Sequence, residues 1–218
     1  MERSQFIDLL VHRINEFQFE RPVRVAIDGP DAAGKTTLAN ELVKPLQALG
    51  RPVIRASVDG FHNPARLRHA RGAESPEGYF YDSFNHQTLI DSLLAPLGPN
   101  GSGRYSPAAF DYHTDTELRP PLEMAEPKSI LLFDGVFLLR PELARYWDFT
   151  IFVDVSFETV LTRAKQRDAI AFGGVEETTR RYQRRYIPGQ QLYFTECQPK
   201  TRADLVIDNN DPLNPVVL

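Results

Sequence analysis

One stretch constrains this chain more than any other: Gly29-Pro30-Asp31-Ala32-Ala33-Gly34-Lys35-Thr36 fits the pattern G-x-x-x-x-G-K-[ST]. Before it runs Val23-Arg24-Val25-Ala26-Ile27, short, β-branched and apolar, which predicts a buried parallel strand. After it comes Thr37-Leu38-Ala39-Asn40-Glu41-Leu42-Val43, with helical spacing. A strand, a glycine loop and a helix in that order make a phosphate cradle. Glycine lets the backbone close around an anion with no Cβ in the way. The loop amides and the helix N-terminus turn partial positive charge toward that anion. Lys35 adds a mobile cation for the β- and γ-phosphates, and the Thr36 hydroxyl is placed to ligate Mg²⁺. The motif therefore assigns Gly29, Asp31, Ala32, Ala33, Gly34, Lys35, Thr36 and Thr37 to a bound nucleotide.

A loop of this kind needs an α/β scaffold, and the composition allows one. The 218 residues suit one domain of residues 1–218, with 42% hydrophobic residues to fill its core. A net charge of −4 argues against a general binder of nucleic acid or of anionic membrane. Cys197 is the only cysteine, so no internal disulfide forms. That fits a reducing, cytoplasmic setting, with Cys197 a packing residue. No apolar run reaches the roughly 18 residues that span a bilayer. No basic stretch leads into an apolar core at the N-terminus, so no signal peptide is expected.

Along the chain, residues 1–21 hold an amphipathic helix over 4–18, with Phe6, Ile7, Leu10, Val11, Ile14 and Phe17 on one stripe. It packs on the sheet or on a partner subunit, which leaves room for a homo-oligomer. Val53–Val58 reads as a second strand that delivers Asp59-Gly60-Phe61-His62 at its C-terminal end, the edge where open α/β sheets hold ligands. A carboxylate there faces the γ-phosphate and can take the proton of an incoming hydroxyl. Residues 63–86 read as a polar, turn-rich loop with Arg66, Arg68, His69 and Arg71; Tyr79, Phe80, Tyr81 and Phe84 either wall a flat substrate or form the core of an insertion. Asp111-Tyr112-His113-Thr114-Asp115 is a polar cluster over the sheet edge. Ser129-Ile130-Leu131-Leu132-Phe133-Asp134 is a buried strand ending in an acid, which sets Asp134 beside the Mg²⁺. Phe149–Val153 and Ala203–Ile207 read as strands, and Pro212 and Pro215 lead into a tail. Phe157–Phe172 reads as one helix with Arg163 and Arg167 on one face. Arg180, Arg181, Arg184 and Arg185 stand on the next, behind Gly173-Gly174. They are either solvated partners of Glu176 and Glu177 or a hinged lid carrying arginines to the transferring phosphoryl group.

These stretches together resemble the uridine kinase family of P-loop kinases, a branch similar to phosphoribulokinase and bacterial pantothenate kinase. The resemblance runs from about Arg21 to Asn209. It rests on the P-loop, Asp59-Gly60-Phe61-His62, Leu132–Phe137, Arg163–Asp168 and Ala203–Asp208. It implies a P-loop NTPase fold: a parallel sheet with helices on both faces, a substrate-binding insertion at about 60–127 and a helical lid at about 163–197. It implies phosphoryl transfer from ATP, with Mg²⁺ on Thr36 and Asp134, to a hydroxyl of a small molecule, a nucleoside such as uridine or cytidine first among them. The alternatives are a sugar, a pantothenate-like alcohol or a phosphorylated acceptor, or a nucleotide-binding regulator that transfers nothing. Catalysis would rest on Asp59 as base with Lys35, Arg163 and Arg167. The acceptor would meet Phe61, His62, Tyr81, Asn85, Tyr112, His113 and Arg181. Two departures stand out. Phe84-Asn85-His86 replaces the family's Phe-Asp-His, and Arg181-Tyr182 replaces Gln-Tyr, and both changes make the expected acceptor site more positive.

Overall fold

The computed structural model describes residues 2–218. Strand β1 (Val23–Asp28) lies between two covered faces and is buried along its whole length, with Arg24 paired to Asp148. After helix α2 (Lys35–Ala48), β2 (Val53–Ser57) pairs in parallel with β3 (Ile130–Asp134), and β3 pairs in parallel with β1. The strands β4 (Phe149–Asp154) and β5 (Leu205–Asp208) extend the sheet on the other side of β1. Val216–Val217 forms β6, antiparallel on β5. The six strands run in the order β6-β5-β4-β1-β3-β2. The segment after Pro215, expected to be a tail, is therefore an edge strand; two residues are too few to show alternation in sequence.

Apolar clusters cover both faces. On one, α1 (Arg3–Asn15) buries Phe6, Leu10, Val11 and Ile14 beside Leu38, Leu42 and Leu46 of α2. At roughly 1.5–3 kcal/mol per buried large side chain, the stripe holds the helix on its own chain. On the other face Phe61, Phe80, Leu89, Phe137 and Tyr193 pack under the insertion.

The insertion is more helical than its composition suggests. Ser75 caps helix α3 (Pro76–Asp82) by accepting from the Gly78 amide, with Pro76 in the first turn. Residues 63–86 are thus partly helical rather than one loop. The hairpins beyond are minimal: Arg104–Tyr105 pairs with Glu123–Met124, and Phe110–Asp111 with Thr116–Glu117. The expected single helix over 157–172 is broken. Helix α4 (Phe157–Arg167) ends at Asp168, and Ala169–Phe172 forms a separate turn. Gly173 and Gly174 then take positive φ, +86° and +129°. Beyond them come α5 (Val175–Arg181), a wide turn at Tyr182–Tyr186, and α6 (Ile187–Cys197). Cys197 is buried at its end. No helix among the described residues is long and apolar enough to cross a membrane.

Candidate active site

Parallel pairing brings the C-terminal ends of β1, β2 and β3 to one edge: Ile27 and Ser57 both lie in register with Asp134. The phosphate loop, Asp59 and Asp134 meet there because of that register.

The loop's shape is set by glycine at two places. A Cβ on Gly29 would stand 2.3 Å from the Val153 carbonyl oxygen, and Gly34 has φ +94° with a Cβ site 2.9 Å from the Asn209 amide nitrogen. Ala33 points into the core and offers only its backbone; its carbonyl accepts from Asn209 Nδ2 at 2.7 Å. Lys35 Nζ donates to the Pro30 carbonyl at 2.5 Å. Burial lowers its pKa, opposed by Asp31, Asp28 and Asp134.

Two cavities flank the loop. The first, about 520 Å³, is lined by Ala32, Gly34, Thr37, Arg163, Asn209 and Arg3 among others. The second, about 570 Å³, is lined by Asp31, Asp59, His62, Tyr112, His113 and Asp134 among others. Lys35, Thr36 and Arg167 line both. Arg167 is held at that junction by Asp168, at 2.6 and 2.9 Å, and by the Tyr182 hydroxyl at 3.1 Å. The carboxylate partner raises its pKa and keeps it a cation.

Asp59 lies open to the second cavity at the end of β2. Loss of water around it raises its pKa, and the Asp31 and Asp134 carboxylates push it further. His62 Nδ1 donates to the Asp59 carbonyl at 3.0 Å, and the imidazole lies between Phe84 and Tyr112, tilted against both rings. Burial pulls its pKa down to about 4, so it is neutral at pH 7.

The donor set for a metal fits a hard divalent cation. Thr36 Oγ1 donates to Asp134 Oδ2 at 2.5 Å, and both are oxygen ligands. Two protein oxygens are too few for an all-protein cage, and no cluster of three His, Cys, Asp or Glu side chains of that kind exists among the described residues. A cation that keeps waters and binds phosphate oxygens matches such a pair.

Several expected contacts fall elsewhere. Phe61 is 1% exposed and belongs to the core beside Phe133, so it cannot touch an acceptor. Tyr81 turns to the surface, where its hydroxyl donates to Glu196, while Tyr79 on the same helix faces the cleft. Asn85 is occupied as a helix cap, accepting from the Thr88 amide at 3.0 Å. Arg181 stands outside the cavity of Asp59, donating to Glu177 at 2.7 Å and lying over Phe172. Arg163 is held by the carbonyls of Asn209 and Asn210 at 2.8 and 3.0 Å and lines the first cavity rather than the junction.

The structure also adds residues. Asp28 is completely buried and accepts from the Gly29 amide at 2.8 Å and from the Tyr193 hydroxyl. Burial raises its pKa to about 6. Gln190 of α6 is 1% exposed; its Nε2 donates to Asp31 at 2.9 Å, its Oε1 accepts from the Asp31 amide at 3.1 Å, and the Tyr79 hydroxyl donates to the same carboxylate at 2.9 Å. The phosphate loop is thereby fastened to α6 and to α3. Arg55 donates to Asp134 Oδ1 at 2.7 Å. Arg3 reaches from α1 to Asn209 at 3.3 Å. An acid closing an otherwise apolar strand was a signal for Asp28; nothing local signalled Gln190 or Arg3.

Residues 24–211 match the profile of the Phosphoribulokinase / Uridine kinase family. A uridine kinase of Halalkalibacterium halodurans is 25% identical over 192 residues, 86% of each chain. Among solved structures, a protein described as a possible uridine kinase from Bacillus stearothermophilus superposes with TM-score 0.75 at 24% identity, over 94% of this chain and 99% of that one. A protein from Silicibacter sp. TM1040 described as a fructose transport system kinase gives the same TM-score and identity, over 94% and 98%. At those identities the two structures speak for the fold alone.

Proposed function

The chain belongs to the Phosphoribulokinase / Uridine kinase family of small-molecule kinases, and from that premise we propose that it moves the γ-phosphoryl group of ATP to a hydroxyl held beside Asp59. The observation that carries this reading is the junction of the two cavities at Lys35, Thr36 and Arg167. A phosphoryl group passing from one cavity to the other crosses between two cations. The first cavity takes the nucleotide, with Arg163 and Arg3 at its sides. The second takes the acceptor.

Each residue has a role that its surroundings favour. Asp59 accepts the hydroxyl proton as the oxygen attacks; its raised pKa makes it a better base than an ordinary carboxylate. Lys35 and Arg167 offset the charge spread over the transferring oxygens, in a transition state where positioning and electrostatics supply most of the catalysis. Thr36 and Asp134 would hold Mg²⁺, which supplies charge neutralisation and orientation of the phosphate oxygens when bound. His62, Phe84 and Tyr112 give the acceptor a neutral aromatic wall.

As acceptor we infer an alcohol of the sugar class rather than a nucleoside. The side chain expected to grip a ribose diol, Asn85, is committed to a helix cap. A nucleoside is the second reading, supported by the uridine kinases among the relatives and by Tyr112 and His113, whose rings lie 3.9 Å apart at the cavity wall. The test is acceptor-dependent ADP release from ATP with Mg²⁺, screened over sugars, small polyols, uridine and cytidine. Sugar-type acceptors preferred over both nucleosides support the reading. Efficient uridine phosphorylation gives the site to nucleosides, and absence of any acceptor-dependent release removes the kinase reading.

A further inference from the structure

Beside the acceptor cavity lies a second chamber of about 280 Å³. His62, Arg68, Tyr79 and Tyr186 line both spaces, so the chamber adjoins the cavity that holds Asp59. The chamber wall carries Arg68, Arg180, Arg181 and Arg185 against one carboxylate, Glu74.

The four arginines are not equivalent. Arg180 pairs with Glu74 and Glu177, and Arg181 pairs with Glu177. Arg184, outside the wall, also takes Glu74. These are solvated pairs, and those to Glu74 cross from the lid to the insertion. Arg185 is 7% exposed, and its guanidinium donates to backbone carbonyls: Ala73 at 2.7 Å, Gly72 at 3.3 Å and Arg68 at 3.3 Å. Among the described residues no carboxylate forms an ion pair with it. Arg68 gives one nitrogen to Asp115 at 2.8 Å, and its Nε is buried with no hydrogen-bond partner.

A buried guanidinium with only neutral partners and a buried N–H with none are both costly arrangements. An oxyanion in the chamber would complete both. The planar guanidinium fork matches a phosphate or carboxylate. We propose that this chamber receives an oxyanion borne by the acceptor itself, a phosphate monoester or a carboxylate, remote from the hydroxyl facing Asp59, with Arg68 and Arg185 as its donors. The inference rests on the kinase reading above and narrows its acceptor to anionic alcohols. It also gives binding a mechanical consequence. Arg185 stands on the lid and its carbonyl partners on the insertion, so an anion held by Arg68 and Arg185 adds a link to those that already join the two.

The test pairs neutral alcohols with charged counterparts as acceptors: fructose with fructose 6-phosphate, and glycerol with glycerol 3-phosphate and with glycerate. Uridine serves as an additional neutral probe. ADP release is measured in wild type, Arg68→Gln and Arg185→Lys, with thermal melting to confirm folding; Arg185→Lys keeps the charge if a neutral change unfolds the loop. In the expected result, a charged member exceeds its neutral partner at least about tenfold in kcat/KM. The phosphate and carboxylate arms then show which oxyanion fits. Arg68→Gln lowers that preference by about tenfold, the loss of one charge-assisted contact, and Arg185→Lys lowers it by less, since the charge stays and only the planar fork is lost; KM for ATP stays within about twofold in both. Neutral members used equally well, or a preference unchanged in both variants, overturn the proposal. If the panel gives no turnover, calorimetry on ATP-saturated protein decides. Binding of charged members alone, weakened in the variants, supports the proposal, and no charge-dependent binding overturns it. Failure of the wild type to bind ATP would instead strike the kinase reading, a separate observation.

Discussion

Replacing Lys35 by methionine removes the cation where the two cavities meet while keeping the length of the side chain. Asp28, Asp31 and Asp134 all act electrostatically on this ammonium. Without it, a phosphoryl group crossing the junction faces those carboxylates with Arg167 as the remaining cation lining both cavities. One charge pair at about 4 Å and an effective dielectric near 20 is worth about 4 kcal/mol. Screening by solvent in an open cleft reduces this, so the loss should resemble that of one preorganised electrostatic contact, about 2.7–4 kcal/mol, or 10²–10³ in kcat. ATP affinity should fall as well, by roughly tenfold for one charge-assisted contact. Stability should move the other way. Burial lowers the pKa of Lys35, so the folded protein disfavours the charge, and methionine should leave Tm unchanged or raise it. Steady-state ADP release, ATP titration and thermal melting on one purified sample check all three. Turnover within a few-fold of wild type in a folded Lys35→Met protein would refute the assignment of the loop.

Other expectations follow from individual contacts. The Asp28 pKa rises from 3.8 to about 6, so between those values the folded protein holds a proton that the unfolded chain has released. Stability therefore falls as pH rises through that window, and a pKa gap of about 2 is worth about 3 kcal/mol. Urea unfolding of wild type against Asp28→Asn should show this difference appearing between about pH 4 and pH 6; a flat difference contradicts it. Arg3→Ala should raise KM for ATP roughly fivefold, the worth of about one hydrogen bond, and leave the acceptor KM alone; an unchanged ATP KM removes Arg3 from the nucleotide site. Asn85→Ala should cost about 1 kcal/mol of stability as a lost helix cap, with the acceptor KM unchanged. A large rise in that KM would return Asn85 to the acceptor site.

What the sequence disclosed was local. The phosphate loop and its flanking strand and helix are written in consecutive residues, and the strand before Asp134 is an apolar run that needs no partner to be recognised. The Ser75-Pro76 start of α3 was also written there, as a cap followed by proline, but the charged residues around it drew the reading toward a loop. Register in the acceptor region was harder. Phe61 and His62 are neighbours, yet one is core and the other faces the cleft; Tyr79 and Tyr81 lie two apart on a helix, so they point to different sides. Contacts across the chain were out of reach. Gln190 binds Asp31 from 159 positions away, and Arg3 meets Asn209 from 206. Arg185 gave no sign of burial, since a run of arginines beside glutamates reads as a solvated face, and only packing against residues 68–73 sets it apart from Arg184.

Asp59→Asn separates a role in proton transfer from a role in holding the nucleotide. The change is nearly isosteric and removes the proton acceptor while leaving the phosphate loop and the Thr36–Asp134 pair in place. ATP affinity by titration and phosphoryl transfer by ADP release are measured on the same protein, with the best acceptor found. The account predicts transfer reduced by about 10² or more, the range for a lost general base, with ATP affinity within a few-fold of wild type. Retained transfer with a collapse of ATP affinity would contradict it, and would place Asp59 with the nucleotide and its metal rather than with the acceptor.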